Sequence, residues 1–341
     1  MPEQNIELTS TEIASLWTSY MNNTMSKCVL GHMSRNITDQ TIGKALDNAL
    51  VISVKEVEKL EQIFQEENFA QPYGFSEKDV NLGAPALFTD TFSLQYINHM
   101  AKAGMLAYSG FTAMSFREDI IQHFTVSLSE TAKLYSLTND ALKEKGMLVR
   151  SPYIIPPTDK DYIDSNSYLS GLNLFHKKRP LNAIEISHLF MNTQTNNIGY
   201  KISLAFGQTS DDKDVQDYMM RGKEISQKHV KIFADTLIDG NIQSPMSSDI
   251  GITESTNKTF SDKLMMFHMA LLSASGIGNY ATAAGASQRS DLAVNYERLS
   301  FEIAQYAKEG ANIMIKNSWL EQPPATADRE NLIRNKKSEQ G

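Results

Sequence analysis

Leu8-Thr9-Ser10-Thr11-Glu12-Ile13 and, much further along the chain, Leu181-Asn182-Ala183-Ile184-Glu185-Ile186 write the same helix start twice. In each stretch a polar residue, Thr9 or Asn182, is placed to cap the free amide of the third helical residue. Glu12 and Glu185, three positions on, reach back to the cap amide, and Leu8 and Leu181 staple onto Ile13 and Ile186. Apolar rows follow at helical spacing: Ile13, Leu16, Trp17 and Tyr20 in one copy, Ile186, Leu189 and Phe190 in the other.

The match extends outward from these starts. At an offset of 173, residues from Leu8 to Pro72 align with Leu181 to Pro245, with Asn23/Asn196, Asp39/Asp212, Ser53/Ser226, Lys55/Lys228, Asn68/Asn241 and Pro72/Pro245 among the identities. After a one-residue slip the offset is 172, and Phe88/Phe260, Asp90/Asp262, Gly104/Gly276, Tyr108/Tyr280, Arg117/Arg289, Asp119/Asp291 and Glu130/Glu302 coincide. One register held with a single slip marks an internal duplication. It divides the chain into a first unit over 1–149, a linker over 150–178 and a second unit over 179–341. Pro156-Pro157 and Pro323-Pro324 stop the chain at equivalent places after each unit.

Each unit reads as four helices. The second is expected over Thr38–Glu67 and Asp211–Asp239, the third over Thr89–Met114 and Ser261–Ala286, the fourth over Phe116–Lys145 and Arg289–Asn317. The longest breaks, Phe69–Phe88 and Ile242–Phe260, fall between helices two and three, where a crossover would make those two helices parallel. The fold class is therefore all-α: two tandem ferritin-like four-helix bundles. Helix three of the second unit is apolar on nearly every side (Leu264, Met265, Met266, Phe267, Met269, Leu271, Leu272), so it is expected to lie against the other half as well as its own bundle. A subunit interface in a homo-oligomer is the alternative. The run, broken by Lys263, His268 and Asn279, is too short to span a membrane.

Composition excludes some classes of function. The 341 residues carry 32 basic and 40 acidic side chains, a net charge of -8 that does not suit a nucleic-acid partner. The single cysteine, Cys28, rules out an internal disulfide framework and has no Cys-x-x-Cys or His/Asn context for catalysis. The opening Met-Pro-Glu-Gln-Asn-Ile-Glu lacks the features of a signal peptide, and a cytoplasmic location is expected.

Ferritin-like bundles can hold two metals through a Glu on each of two helices and a Glu-x-x-His pair on each of two others. Here Glu185-Ile-Ser-His188 is such a pair, but His188 points away from the apolar stripe and Glu185 has its capping role. The first helices carry no carboxylate between Glu12 and Asp39 or between Glu185 and Asp211, so one wall of a dimetal centre is missing in both units. A weaker constellation remains. Glu56 and its repeat partner His229 fall on the inward face of helix two, and Asp119, His123 and Glu130 share one stripe of helix four, matched by Asp291, Asn295 and Glu302. These residues could ligate one iron, manganese or zinc ion through nitrogen and oxygen. The alternative is a pair of buried polar networks in which Arg117 and Arg289 neutralise nearby acids. His268 is expected to be a satisfied core histidine, His99 to face outward, and His32 and His176 have no evident partners.

The phrases Arg179-Pro-Leu-Asn-Ala-Ile-Glu185, Arg221-Gly-Lys-Glu-Ile225, Phe260-Ser-Asp-Lys-Leu-Met-Met-Phe-His268 and Trp319-Leu-Glu-Gln-Pro-Pro324 resemble an uncharacterised family of Bacillus and its relatives, loosely related to spore coat proteins of the CotF type. The resemblance covers essentially the whole chain. It implies a tandem ferritin-like fold, a spore-forming source, a spore-associated location and coat-protein partners, but no reaction and no functional residue. Three readings follow. A non-enzymatic structural or interaction protein without a cofactor leads. A metal-binding or redox protein using Glu56, Asp119, His123, Glu130, His229, Asp291 and Glu302 is the rival. A small-molecule carrier with its ligand between the bundles is the third.

Overall fold

The computed structural model describes residues 6–172, 178–245 and 250–338. The first half holds α1 (Ser10–Asn36), α2 (Gln40–Glu66), α3 (Asp90–Ala113) and α4 (Glu118–Glu144). The second holds α5 (Ala183–Thr209), α6 (Lys213–Asp239), α7 (Asp262–Ala286) and α8 (Ser290–Lys316), and an exposed α9 (Arg329–Ser338) follows. The six helices given spans from the sequence match them to within a turn, and α1 and α5 begin at the expected starts.

Local chemistry sets their ends. Both expected capping boxes form, Thr9 with Glu12 and Asn182 with Glu185, and Asp39 and Asp212 cap α2 and α6. Asn68 and Asn241, a matched pair of the repeat, take left-handed φ angles of 50° and 58° just past α2 and α6. There they turn the backbone back on the last carbonyls, so that the Phe69 and Ile242 amides donate to Phe64 and Leu237.

Hydrogen bonds between helix ends give the topology. The Thr38 and Asp39 amides donate to Asp90 Oδ2 at 3.0 and 2.8 Å, which places the starts of α2 and α3 side by side. Glu12 in turn joins the start of α1 to the start of α4 through the Phe116 and Arg117 amides at 2.9 and 2.7 Å. The order is up–down–down–up, with α2 and α3 parallel and the long crossover between them. The second half repeats it: Ser210 Oγ donates to Asp262 Oδ1 at 2.6 Å, and the Arg289 amide to Glu185 Oε1 at 2.9 Å.

The halves pack against each other about a pseudo-two-fold axis. Val80 bridges Phe260 and Phe88 bridges Ile252, two contacts that the 172-residue shift converts into each other. The same exchange relates Asn81 N–H to Thr259 O (2.7 Å) with Thr253 N–H to Leu87 O (3.0 Å). It also relates Thr89 N–H to Gly251 O (3.1 Å) with Ser261 N–H to Asp79 O (2.9 Å). Each crossover therefore pairs with the other, as in an isologous dimer interface. One core cluster runs across this junction, joining Met25, Val29 and Phe92 of the first half to Phe206, Leu264, Met265 and Met269 of the second. Each half keeps a smaller core of its own, around Phe124 and Phe64 in one and Phe233 and Tyr296 in the other. Helix α7 faces both its own bundle and the first half, as its apolar circumference requires. Among the described residues no helix is long and apolar enough to cross a membrane.

Candidate functional site

Each bundle holds a polar cluster between α1, α2, α3 and α4 or their counterparts, and each cluster starts from an amide on the first helix. Asn23 Nδ2 donates to Tyr108 Oη at 3.0 Å, and Asn196 Nδ2 to Tyr280 Oη at 2.7 Å. All four side chains are buried. These are identities of the repeat, and two polar residues retained together on helices that otherwise vary were the signal for this site in the sequence.

Beyond the tyrosine the halves diverge. In the first, Ser127 Oγ donates to Glu56 Oε1 at 2.6 Å, and the other carboxylate oxygen lies 3.5 Å from His123 Nε2. Glu56 Oε2 and His123 Nε2 are buried without a hydrogen bond. Burial pushes the Glu56 carboxyl up to about 7, with the Ser127 hydrogen bond opposing and the charge of Glu130 adding to the rise. Burial pushes His123 down to about 4, helped by the charge of Lys59. Both shifts favour the uncharged forms, a protonated carboxyl and a neutral imidazole.

In the second half the acid and the imidazole have exchanged helices, with Asn295 at the position of His123 and Glu302 at that of Glu130. His229 stands where Glu56 stands, and the carboxylate now comes from α8. His229 Nδ1 meets Tyr280 Oη at 2.9 Å and Nε2 meets Glu302 Oε2 at 3.1 Å. Glu302 reaches the surface, where Lys228 Nζ donates to both its oxygens at 2.8 and 2.9 Å. Burial lowers the His229 pKa, against the pull of Glu302. For Glu302 burial acts upward, yet Lys228 and His229 together hold the carboxyl below its ordinary range. A neutral imidazole with its proton on Nε2 donates to Glu302 and accepts from Tyr280, so every group in this chain has a partner.

The candidate ligands thus separate into two pairs, Glu56 with His123 and His229 with Glu302. Asp119 and Asp291 are held by arginines instead of joining these pairs. Arg117 takes Asp119 in a two-pronged ion pair at 2.9 and 2.7 Å, and Arg289 takes Asp291 at 2.8 and 3.2 Å, with Lys178 also at 2.8 Å. Both acids lie in the first turn of their helix, and the arginine just before it reaches them more easily than an interior histidine does. Glu130 acts on Glu56 through its charge. Among the described residues no three His, Cys, Asp or Glu side chains converge as a metal-ligand group. Two donors, Glu56 and His123, fall short of the three or four protein ligands such an ion takes.

Glu12 and Glu185 are wholly occupied elsewhere. Besides closing its capping box, each carboxylate accepts backbone amides from the start of α4 or α8, and Arg179 adds a bidentate pair to Glu185 at 2.9 and 2.6 Å. Burial alone would raise both pKa values, but these donors hold them below the carboxylate norm. His268 is a buried core histidine, as expected, and burial lowers it to about 3. His99 does not face outward: it is half-buried at the junction of the halves, and burial lowers it to about 4. His32 has found partners in the Pro85 carbonyl at 3.2 Å and the edge of Phe260. His176 lies outside the described residues. Cys28 is buried, its thiol donates to Ser76 O at 3.3 Å, and burial pushes its pKa up to about 12, so it is a poor nucleophile.

The fold and these two clusters define a class, a tandem of up–down–down–up helical bundles with one acid–imidazole pair per bundle. The chain belongs to the family described as "Protein of unknown function (DUF3231)", which matches residues 1–159 and 169–332, once per half. Among solved structures it is similar to a "putative spore coat protein" from Bacillus halodurans C-125, at 21% identity and a TM-score of 0.38, over 46% of this chain and 99% of that one. No curated protein matches the chain.

Proposed function

We propose that the chain is a non-enzymatic helical module with a structural or interaction role, linked to sporulation or the spore coat. One observation carries this reading: buried carboxylates, tyrosines and a histidine are spent on holding the helices of each bundle to one another. Glu12 and Glu185 tie helix starts together, Tyr108 and Tyr280 tie α3 and α7 to the first helix of each half, and His229 is closed between Tyr280 and Glu302. None of these leaves an activated nucleophile or an open proton donor facing a substrate. The link to spores rests on the sequence resemblance.

The second reading, a metal-binding or redox protein holding iron, manganese or zinc, draws on Glu56 Oε2 and His123 Nε2, which face each other without hydrogen bonds. Elemental analysis of protein purified without added metal separates the two. The structural reading expects no stoichiometric metal and a thermal unfolding midpoint that ignores added iron, manganese and zinc. Stoichiometric metal, lost when Glu56→Gln and His123→Asn are combined, overturns it. Fractionation of spores from a spore-forming host tests the location: absence of the protein from the spore fraction removes the coat assignment.

A further inference from the structure

The two halves are unlike where each meets the other beside its fourth helix. At the end of the second half, Glu321 accepts the Tyr73 and Gly74 amides at 2.8 and 3.1 Å and Lys263 Nζ at 2.9 Å. This pins the segment after α8 onto the crossover of the first half, with Trp319 against the shared core. The repeat counterpart of Glu321 is Val149, which cannot make those bonds and is exposed. The segment Met147–Ser151 instead forms one wall of a cleft of about 860 Å³, between α3 and α4 on one side and α5 on the other.

The lining of this cleft departs from the repeat in a consistent direction. Gln95, His99 and Lys102 line it on α3, where α7 carries Phe267, Leu271 and Ala274 at the equivalent positions. Arg150 stands at the cleft's edge, and no aspartate or glutamate is among the described residues that wall it. Lys102 Nζ lies over the Tyr135 ring at 5.7 Å, a contact that leaves its charge uncancelled. Met105, Leu142, Phe190 and Met191 give the cleft apolar surface from both halves, between polar side chains such as Asn98, Asn139 and Gln194 and a further lysine, Lys201.

We infer that this cleft binds a small organic acid with an apolar body, of the size of a medium-chain fatty acid. The volume falls in the range of ordinary ligand sites, roughly 300–1,000 Å³. Arg150 and Lys102 take the carboxylate through charge-assisted hydrogen bonds, stronger than neutral ones. The methionines adapt to a flexible chain, and Phe190 gives it a flat wall. In the second half the equivalent tail carries its own carboxylate, Glu321, and closes down on its neighbour; in the first half the acid comes from outside.

Calorimetric titration of the full chain with decanoate, and separately with decanol, tests this. One decanoate is expected to bind per chain, with decanol weaker and with affinity falling as salt is raised. The double variant Lys102→Gln/Arg150→Gln is expected to weaken decanoate about tenfold or more, on the scale of one charge-assisted hydrogen bond. Circular dichroism checks that the variant is folded. A diazirine-bearing fatty acid provides a readout independent of that variant, with labelling expected on peptides containing Met105 or Phe190. No saturable decanoate binding, equal binding of decanol, indifference to the double variant, or labelling elsewhere would each overturn the inference. So would binding of an acidic peptide with the sequence Trp319-Leu-Glu-Gln322 by a cleft that ignores decanoate.

Discussion

Tyr96 and His268 are the same position of the two repeats, 172 residues apart, and they hydrogen-bond to each other, phenol oxygen to Nε2 at 3.2 Å. The pseudo-two-fold axis passes between them, so no symmetric pair of identical residues could have made this bond as well. Two phenols would compete for one proton direction, and two neutral imidazoles would have to take opposite tautomers. Fusing the halves into one chain permits a donor on one side and an acceptor on the other.

Tyr96→Phe leaves the buried His268 Nε2 without a partner and is expected to cost about 1–3 kcal/mol of stability. Combining it with His268→Leu removes the stranded acceptor, so the double variant should lie well above the sum of the single losses. Denaturant unfolding of the four proteins in a double-mutant cycle measures the coupling. Additive losses would show that the contact contributes nothing.

Glu56 and His123 pull stability in opposite directions with pH. Folding raises the carboxyl from its ordinary value of 4.5 to about 7, so the folded state binds more protons in that window and stability falls as pH rises through it. Folding lowers the imidazole from 6.5 to about 4, so the unfolded state binds more and stability rises over nearly the same range. The two slopes largely cancel in the native protein. Other buried histidines add a rise of their own, so the effect is read against the native protein: Glu56→Gln should make stability climb more steeply from pH 4 to 6.5, and His123→Asn, the side chain found at Asn295, should make it climb less or decline from pH 4.5 to 7. Urea midpoints across pH check both signs, and parallel profiles for all three proteins would refute the account.

Glu321→Gln keeps the shape of the side chain but removes the charge that Lys263 and two backbone amides meet. The expected loss is about 1–3 kcal/mol, from hydrogen bonds to a charged group. Faster proteolysis after α8, with cleavage before α5 unchanged, is the specific readout in limited digestion. Equal effects at both places would mean that the tail is not held this way.

Gly310→Ala should destabilise although alanine is the better helix former by roughly 1 kcal/mol. A Cβ at Gly310 would run into the Tyr218 hydroxyl, and one at Gly222 into the Tyr306 hydroxyl, because these two rings stack 4.1 Å apart at 5° and each reaches over the other's helix. Neither ring can retreat without breaking the stack, so a cost of about 1–3 kcal/mol is expected. Thermal unfolding decides: a raised midpoint would mean that the rings move aside cheaply.

Much of this molecule is legible in its residues alone. The boxes at Thr9/Glu12 and Asn182/Glu185 and the turns at Asn68 and Asn241 are local, made within a few residues, and a repeated sequence states them twice. The inward facing of Glu56 and His229 also follows from helical period alone. Their partners do not, because His123 and Glu302 lie on other helices, and the rotation of one helix against another depends on the whole core. Asp119 shows the same limit, since the stripe it shares with His123 says nothing of Arg117 reaching it first.

Helix starts, helix stops, the duplication and the class of fold were thus set by interactions short enough to be written in contiguous residues. The pairing of each acid with its imidazole was decided only when the helices of one bundle packed, and the exchange of crossovers, the Tyr96–His268 contact and the cleft beside Arg150 only when the halves closed on each other. Those contacts span 51 to 182 residues of chain where they are polar, and which of many apolar surfaces meets which is settled by packing the shared core as a whole.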